Sequence, residues 1–253
     1  MSERADAGRT GKYVYAVVPA KADQVYGFSG INGSRVYAIS NGQVAAVVSD
    51  VTNARIRPER RHLAAQQQVF KSLMDEEAVL PMSFGIIANS KKAVQQILAR
   101  NGEAFLKQLH RVAGMVEMGL RVSWDVPNIF EYFVTTHQEL RQARDRLLDP
   151  GRNPSQEDKI EIGRLFDRLL TADRENHLQQ VRQILSQCCR EIKSNKCLQE
   201  NRVMNLACLV ARGGLENFEA AVFEAAKLFD NNFAFDYNGP WAAHNFVELE
   251  FAV

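Results

Sequence analysis

The residues of this chain that could act as acids, bases or metal ligands form no recognisable catalytic pattern. Its five histidines are His62, His110, His137, His177 and His244, and none is followed three or four residues later by another histidine or a cysteine. The sequence has no H-E-x-x-H zinc motif, no G-x-S-x-G nucleophile turn and no Walker loop for nucleotide phosphates. We therefore predict that the chain is not an enzyme, with no catalytic residues and no bound metal or cofactor.

The cysteines also lack the spacing of a metal site. They are Cys188, Cys189, Cys197 and Cys208, with no C-x-x-C pair among them. Zinc knuckles need closely spaced cysteine pairs or a nearby cysteine and histidine set. We interpret these residues as reduced thiols in the core of a cytosolic protein.

One glycine spacing superficially resembles a phosphate-binding loop. Gly27, Gly30 and Gly33 recur every three residues after the first predicted strand. A phosphate loop leads from a strand into a helix, because the N–H groups of the helix N-terminus bind the anion. This segment leads into another predicted strand, so we interpret it as a surface connection.

Four arginines form a basic cluster before and within the first turn of a predicted helix: Arg55, Arg57, Arg60 and Arg61. The helix macrodipole disfavours a cation at this end by about 0.3–1 kcal/mol, so some other group should offset that cost. An acidic surface elsewhere in this chain, an acidic face on a partner and a nucleic acid all remain open. Nucleic acid is the least favoured, because no aromatic residue lies between the arginines to stack on bases. We predict that the cluster makes a partner or interdomain contact.

The composition is that of an ordinary globular protein. The 253 residues are 46% hydrophobic and 24% charged, with a formal net charge of +1. This balance gives no indication of binding to nucleic acid or to an acidic membrane surface. No apolar run approaches the roughly 20 residues of a membrane span, and the polar N-terminus has no apolar segment typical of a signal peptide. We expect a soluble cytoplasmic protein of about two domains.

Residues 1–112 are predicted to form a mixed α+β domain. The expected elements are strands over 13–18, 35–40, 43–51 and 78–87, and helices over 58–77, 91–99 and 103–112. Asn41-Gly42 predicts a type I′ hairpin turn, and Asn101-Gly102 predicts a helix stop. The element order, β-β-β-α-β-α-α, argues against a doubly wound dinucleotide fold.

Residues 113–237 are predicted to form a ferredoxin-like domain. The expected elements are a strand over 115–124, a helical region over 127–148, a long helix over 155–192, strands over 195–199 and 202–212, a helix over 215–230 and a strand over 233–237. Alternation in the first strand places Glu117 on its exposed face. The order is β-α-β-β-α-β, the split βαβ arrangement, so the fold class predicted for the chain is α+β.

Residues 238–253 are predicted to be a C-terminal tail that packs back on the domains. An Asn-Gly-Pro turn signal is followed by a strand predicted over 246–252, in which apolar residues alternate with glutamates. One face of such a strand is buried and the other is exposed to solvent. We expect Trp241 or Phe246 to be wedged against the two domains.

Three stretches together resemble the gas vesicle protein F/L family. They are the Y-V-Y-A-V-V strand with the hairpin S-N-G-Q-V-A-A-V-V-S-D-V, the helix from His62 with the following V-L-P-M-S-F-G, and the closing N-G-P-W with N-F-V. These stretches span nearly the whole chain in a consistent order. The chain departs from the family's usual pattern at Ser83, where a basic residue is common, and at Ala242-Ala243-His244, where Pro-Pro-Tyr is common. These departures affect the expected details of contacts at those positions rather than the resemblance to the family as a whole.

The resemblance implies a non-enzymatic accessory or minor structural protein of gas vesicles, cytoplasmic and associated with the vesicles. It also implies two domains, the second of them ferredoxin-like. The expected partner is the main hydrophobic shell protein, contacted during assembly or in the finished vesicle. Other gas vesicle accessory proteins are further expected partners, and nucleic acid and membrane are not. The alternative is a small-ligand sensor or enzyme built on the ferredoxin-like half, although a fold alone does not specify a function.

Overall fold

The structure, a computed structural model, describes residues 10–20, 24–52, 55–149, 153 and 155–248. These residues fall into two compact units. Unit 1 contains the described residues up to Glu117 together with those from Gly239 onward, and unit 2 contains Met118–Asn238. The predicted α+β class is confirmed, since the described elements are two β-sheets and the helices that accompany them.

Unit 1 is built on a six-stranded sheet. Its strands are β1 (Gly11–Pro19), β2 (Val25–Ser29), β3 (Arg35–Ser40), β4 (Val44–Val51), β5 (Leu80–Pro81) and β6 (Ile87–Ala88). The strand order is β2-β3-β4-β1-β5, and β6 also pairs with β1. Most side chains of β1 and β4 are buried, as their continuous apolar sequences predict for strands covered on both faces.

The turn between β3 and β4 differs from the predicted type I′ turn. The N–H of Asn41 donates to the Val44 carbonyl, so Gly42 and Gln43 are the two central residues. Gly42 has a φ of +91°, and Gln43 does not have a positive φ, which is the pattern of a type II′ turn. The Asn41 side chain favours this turn, because its Oδ1 accepts the N–H groups of Gln43 and Val44.

Two segments of unit 1 form shorter or additional strands. Residues 27–29, predicted to belong to a surface connection, are part of the edge strand β2, which pairs with β3. The single strand predicted over 78–87 is wrong, because only β5 and β6 pair with β1. Pro81 has no N–H to continue the ladder, and Gly85 turns the chain with a φ of +90°.

The first helix of unit 1, α1 (Arg60–Met74), begins two residues later than predicted. Pro58 was expected as its first residue, but Glu59 is the N-cap and has an extended backbone. The N–H groups of His62 and Leu63 both donate to the Glu59 carbonyl. These bonds define the first turn of the helix.

The second helix, α2 (Lys91–Val112), is continuous, so the predicted stop at Asn101-Gly102 is wrong. The Asn101 side chain donates to the Ile97 carbonyl at 2.9 Å and stays within the helix. Gly102 is buried where α2 passes the β3–β4 turn, and a Cβ there would lie 3.0 Å from Oε1 of Gln43. The glycine therefore permits a close approach of the helix to the turn, rather than ending the helix.

The second sheet has four strands in the order β10-β7-β9-β8. In chain order the elements are β7 (Met115–Trp124), α3 (Ile129–Thr136), α4 (Gln138–Leu147), α5 (Gln156–Leu185), β8 (Cys189–Ser194), β9 (Arg202–Ala211), α6 (Leu215–Ala226) and β10 (Phe233–Trp241). This follows the predicted β-α-β-β-α-β order, with three helices in the place of the first. Because β9 lies between β7 and β8, the sheet has the split βαβ arrangement.

The end of α5 and the position of β8 differ from prediction. The start of α5 is set by a capping box between Ser155 and Asp158, as a serine at this position predicts. The helix ends at Leu185 rather than at 192, and β8 covers Cys189–Ser194 instead of 195–199. Backbone pairing of β8 with β9, antiparallel from Cys189 opposite Val210 onward, overrides the helical pattern of this stretch.

The four cysteines are free thiols. Cys189 and Cys208 are buried, and Cys188 and Cys197 are partly buried. Burial raises the pKa of the Cys188 thiol to about 12, and the neighbouring Cys189 adds to this shift. Among the helices that the structure describes, none combines the length and apolar character needed to cross a membrane.

Candidate partner-binding surface

Helix α1 is fixed to unit 1 by a face that combines apolar and polar contacts. Phe70 and Leu73 are buried in the core of the unit. The buried Gln66 accepts a hydrogen bond from the Tyr13 hydroxyl at 3.2 Å and donates to the Met82 carbonyl at 3.1 Å. A buried amide keeps its hydrogen bonds only in one orientation of the helix about its axis. That orientation determines which residues of α1 face outward.

His62 fixes the segment that leads into α1. Its side chain is buried, with Nδ1 2.9 Å from the Arg57 carbonyl oxygen and Nε2 3.0 Å from the Asn32 side-chain oxygen. These contacts hold the backbone at Arg57 against the turn that contains Asn32. The sequence shows His62 only as the neighbour of the basic cluster, and its contact with Asn32 could be found only in the folded chain.

One side of α1, from the buried Phe70 to exposed residues such as Gln67 and Lys71, forms one wall of a groove. Its lining residues on this helix are Ala64, Gln67, Gln68, Phe70, Lys71 and Met74. Ala64, Gln67, Lys71 and Met74 are three or four residues apart and therefore lie along one side of the helix, with Gln68 and Phe70 beside them. The groove encloses a volume of about 260 Å³.

The opposite wall consists of Pro240, Trp241 and Ala242. Ala242 is buried against the core of unit 1, whereas Trp241 is 43% exposed. The buried alanine fixes the backbone beside Trp241, and the indole ring extends from this backbone to the groove. We call this feature the α1–Trp241 groove.

The tail differs from the predicted turn and strand. The Asn-Gly-Pro sequence lies within β10, where the Gly239–Pro240 peptide bond is cis. Where the strand was predicted to begin, His244–Phe246 form a 3-10 turn, in which the Phe246 N–H donates to the Ala243 carbonyl. This turn directs Phe246 into a fully buried position. The rest of the predicted strand, residues 249–252, lies outside the described residues.

A buried carboxylate holds the tail in place within unit 1. Glu117 is 7% exposed, and its carboxylate accepts the Asn245 N–H at 2.8 Å and the Asn245 side-chain amide at 2.6 Å. Burial raises the pKa of Glu117, and the two hydrogen bonds from Asn245 lower it by less. The prediction that Glu117 is exposed is therefore wrong. The alternation of β7 was correct for its apolar residues, but the tail that covers Glu117 is 128 residues away in sequence.

The basic cluster is exposed at all four arginines. Arg61 forms an ion pair with Glu59 at 2.9 Å, in which both side chains are largely exposed. Within the described part of the chain, Arg55, Arg57 and Arg60 form no ion pair. Trp241 and the basic cluster thus remain candidate partner-contact residues, whereas Phe246 is placed in the core.

A larger cavity of about 560 Å³ lies against β3 and the start of α2, and it is more polar. Asp50, one of its charged lining residues, already has two partners. The Tyr37 hydroxyl donates to Asp50 at 2.8 Å, and Asp50 also pairs with Lys12. Because its lining is less polar, the α1–Trp241 groove is the better candidate for an apolar contact.

A protein-family comparison matches almost all of the described chain. The family model described as "Gas vesicle synthesis protein GvpL/GvpF" matches residues 11–248. The match includes both units and extends through Trp241 and Phe246.

Individual relatives agree with this match. The gas vesicle protein F of Nostoc sp. (strain PCC 7120) is 24% identical over 95% of this chain and 99% of its own length. The crystal structure of GvpF from Anabaena sp. PCC7120 has a TM-score of 0.83 at 23% identity, covering 95% of this chain and 99% of that one. GvpF from Microcystis aeruginosa has a TM-score of 0.79 at 20% identity, covering 94% and 99%. The two structures show that the fold is shared.

Proposed function

This chain belongs to the gas vesicle synthesis protein GvpL/GvpF family, and from that premise we propose that it contacts the main hydrophobic shell protein of the gas vesicle. The contact takes place during assembly or in the finished vesicle. In this proposal the chain is an accessory or minor structural component, located in the cytoplasm in association with gas vesicles. Other gas vesicle accessory proteins are further partners.

The observation that supports a contact role is the α1–Trp241 groove. A protein that handles a hydrophobic subunit needs an apolar surface that stays exposed in its own folded state. Trp241 is 43% exposed beside the groove and Leu63, on α1, is 42% exposed. Tryptophan is enriched among the residues that dominate interface energies.

A non-enzymatic role is supported by the sequence and by the family description. The chain carries no motif for nucleophilic, metal-assisted or phosphoryl-transfer chemistry. The family description names synthesis of the gas vesicle and no reaction. Nothing in the comparisons favours the alternative of a small-ligand sensor or enzyme.

A retention experiment tests the proposal. The purified chain is immobilised, and retention of the shell protein is compared with retention of an unrelated hydrophobic protein of similar size. We expect selective retention of the shell protein. Equal retention of both proteins, or of neither, contradicts the proposed contact.

A second experiment separates assembly from residence in the vesicle. Purified vesicles are assayed for this chain before and after a wash that strips surface proteins. Presence after the wash supports a minor structural role, and absence from vesicles that are otherwise complete supports a role in assembly alone.

A further inference from the structure

Two cations lie along the α1 wall of the α1–Trp241 groove: Lys71 is one of the lining residues, and Arg60 lies one turn before Ala64, the first lining residue on this helix. Arg60, Ala64, Gln67 and Lys71 are spaced four, three and four residues apart and therefore share one side of α1. At 1.5 Å per residue, Arg60 and Lys71 are about 16 Å apart along the helix axis. Of the apolar lining residues on α1, Ala64 and Phe70 lie between these two positions, and Met74 lies one turn beyond Lys71.

Neither of these cations is neutralised within the described part of the chain. Arg60 and Lys71 form no ion pair with a described residue. Arg60 also lies in the first turn of α1, which has no acidic residue and where the macrodipole disfavours a positive charge. An acidic group from another molecule would remove this unfavourable interaction.

The centre of the groove suits apolar side chains. Phe70, Met74 and Pro240 contribute to its lining, and Trp241 forms the rim opposite α1. Because Ala242 is buried and fixes the backbone next to Trp241, little backbone conformational entropy is lost when the indole is covered. The arrangement combines an aromatic anchor with charged groups at the edge, as binding interfaces commonly do.

The walls of the groove favour a helical occupant over an extended one. An extended peptide gains affinity by pairing its backbone with a free sheet edge. The backbone groups of α1 are already bonded within the helix. The other wall is the end of the edge strand β10, where Pro240 has no N–H to donate to an added strand. An amphipathic helix needs only side-chain contacts, and about three of its turns match the distance between Arg60 and Lys71.

We infer that the α1–Trp241 groove binds an amphipathic helix of a partner protein, with apolar side chains against Trp241 and carboxylates near Arg60 and Lys71. This inference rests on the proposed function, because it specifies the chemistry of the partner segment. For Arg60, it makes an acidic face on a partner the group that offsets the unfavourable position of the cation.

A designed peptide tests the inference. The probe is a fluorescently labelled helix of about four turns, with leucines on one face and a glutamate near each end. One control peptide has lysine in place of both glutamates, and a second has the same composition with the leucines spread over all faces. Binding to the full chain is measured by fluorescence anisotropy. We expect the glutamate peptide to bind more tightly than either control.

Matched variants locate the binding. Trp241→Ala is expected to weaken binding of the glutamate peptide by about tenfold or more. Phe223→Ala removes another exposed aromatic side chain, 57% exposed on α6, and is expected to leave binding unchanged. The double variant Arg60→Glu/Lys71→Glu is expected to weaken binding of the glutamate peptide by about fivefold or more and to strengthen binding of the lysine peptide. Lys159→Glu/Arg164→Glu on the exposed surface of α5 changes the net charge by the same amount and is the control for charge.

The outcomes separate this inference from the proposed function. Circular dichroism first confirms that each variant is folded. Equal binding of the three peptides, or wild-type affinity in Trp241→Ala, overturns the inference. If these variants still retain the shell protein selectively, the proposed function stands and the groove is not its site. If the glutamate peptide binds as expected but the wild-type chain does not retain the shell protein, the inference stands and the proposed function fails.

Discussion

Trp241 and Phe246 are close in sequence, but their side chains are in opposite environments. The indole of Trp241 is 43% exposed, and Phe246 is fully buried. From the sequence, either aromatic could be the one wedged against the domains, because an aromatic residue suits a core and can also serve an interface. The structure separates a residue buried in unit 1 from one whose ring is partly exposed to solvent.

Substitution of the two aromatics should therefore affect stability differently. Phe246→Ala should lower the free energy of unfolding by about 3–5 kcal/mol, because it leaves a cavity in a packed core. Trp241→Ala should lower it by less, because much of the ring is already in water. Urea denaturation of both variants measures the difference. Similar losses for the two would mean that Trp241 is as important to the core as Phe246.

Glu117 should make the stability of unit 1 depend on pH. Its folded-state pKa is raised by burial, so the protonated carboxyl is favoured in the folded chain. The stability associated with this proton is present below the unfolded pKa of about 4.3 and is lost as the pH rises through the folded pKa. Glu117→Gln cannot titrate, so the stability of the wild type relative to this variant should be greater at acidic pH than at neutral pH.

Denaturation of the wild type and Glu117→Gln at several pH values checks this expectation. Glu103→Gln, which changes an exposed glutamate on α2 in the same unit, is the control and should show no such trend. A constant difference between wild type and Glu117→Gln across the pH range would contradict a raised pKa. The glutamine should also weaken one of the two hydrogen bonds to Asn245, at a cost of about 1–2 kcal/mol.

At the scale of elements, helix α2 shows how a local stop signal can be overridden. Asn-Gly commonly ends a helix, but packing against the sheet favours continuation through Gly102. The nearest obstacle to a side chain at this position is the Oε1 atom of Gln43, whose side chain is exposed and can move.

Two substitutions at Gly102 should therefore have opposite effects. Gly102→Ala should stabilise the chain by about 0.5–1 kcal/mol, because alanine favours the helical backbone and displaces only the end of Gln43. Gly102→Val should destabilise it, because a branched side chain is too large for the space beside the β3–β4 turn. Thermal unfolding gives the sign of each change. A loss of stability in Gly102→Ala would show that the Gln43 side chain and the β3–β4 turn cannot move to accommodate the added methyl group.

The tail acts as a structural element of unit 1 through Ala242, Asn245 and Phe246. Its removal should expose the core beneath Phe246 and leave the buried Glu117 without the hydrogen bonds from Asn245. A chain that ends at Gly239 should therefore lose about 3 kcal/mol or more of stability relative to a chain that ends at Glu248. The chain that ends at Glu248 retains every contact described for the tail.

Denaturation and shell-protein retention should be measured on both truncations. Unchanged stability with lost retention would assign the tail to partner binding alone. The prediction that the tail also holds the two predicted domains together stays a prediction, to be tested by the same comparison.

At the scale of the whole molecule, the net charge of +1 is too small to attract an acidic partner over long distances. Any electrostatic contribution to binding has to come from the basic cluster and Lys71, which act at short range. Such contributions are reduced by salt, because the Debye length falls from about 10 Å at 0.1 M to about 3 Å at 1 M.

Binding of the glutamate peptide should consequently weaken as salt is added, and Arg60→Glu/Lys71→Glu should remove this dependence. Anisotropy titrations at increasing sodium chloride concentration measure both slopes. Affinity that is independent of salt in the wild type would indicate that apolar contacts alone account for binding. If affinity depends on salt equally in the wild type and the variant, the charges responsible are not those of Arg60 and Lys71.

Several properties of this protein are determined by its sequence alone. The apolar runs of β1 and β4, the alternation in β7 and the element order from β7 to β10 are local patterns, and they predict the α+β class and the split βαβ arrangement. The stretches shared with the gas vesicle protein F/L family likewise indicate the family without any structure. These features depend on neighbouring residues or on linear order, which a sequence contains directly.

Other features were decided only by the tertiary structure. The end of α5 depends on strand pairing with β9, and the continuity of α2 depends on packing beside the β3–β4 turn. The burial of Glu117 and the formation of the α1–Trp241 groove both require that the tail meets residues far away in sequence. Periodicity indicates which face of an element is apolar, but it does not identify the segment that covers that face. The residues that stabilise the tail and those that remain available to a partner could therefore be told apart only in the folded chain.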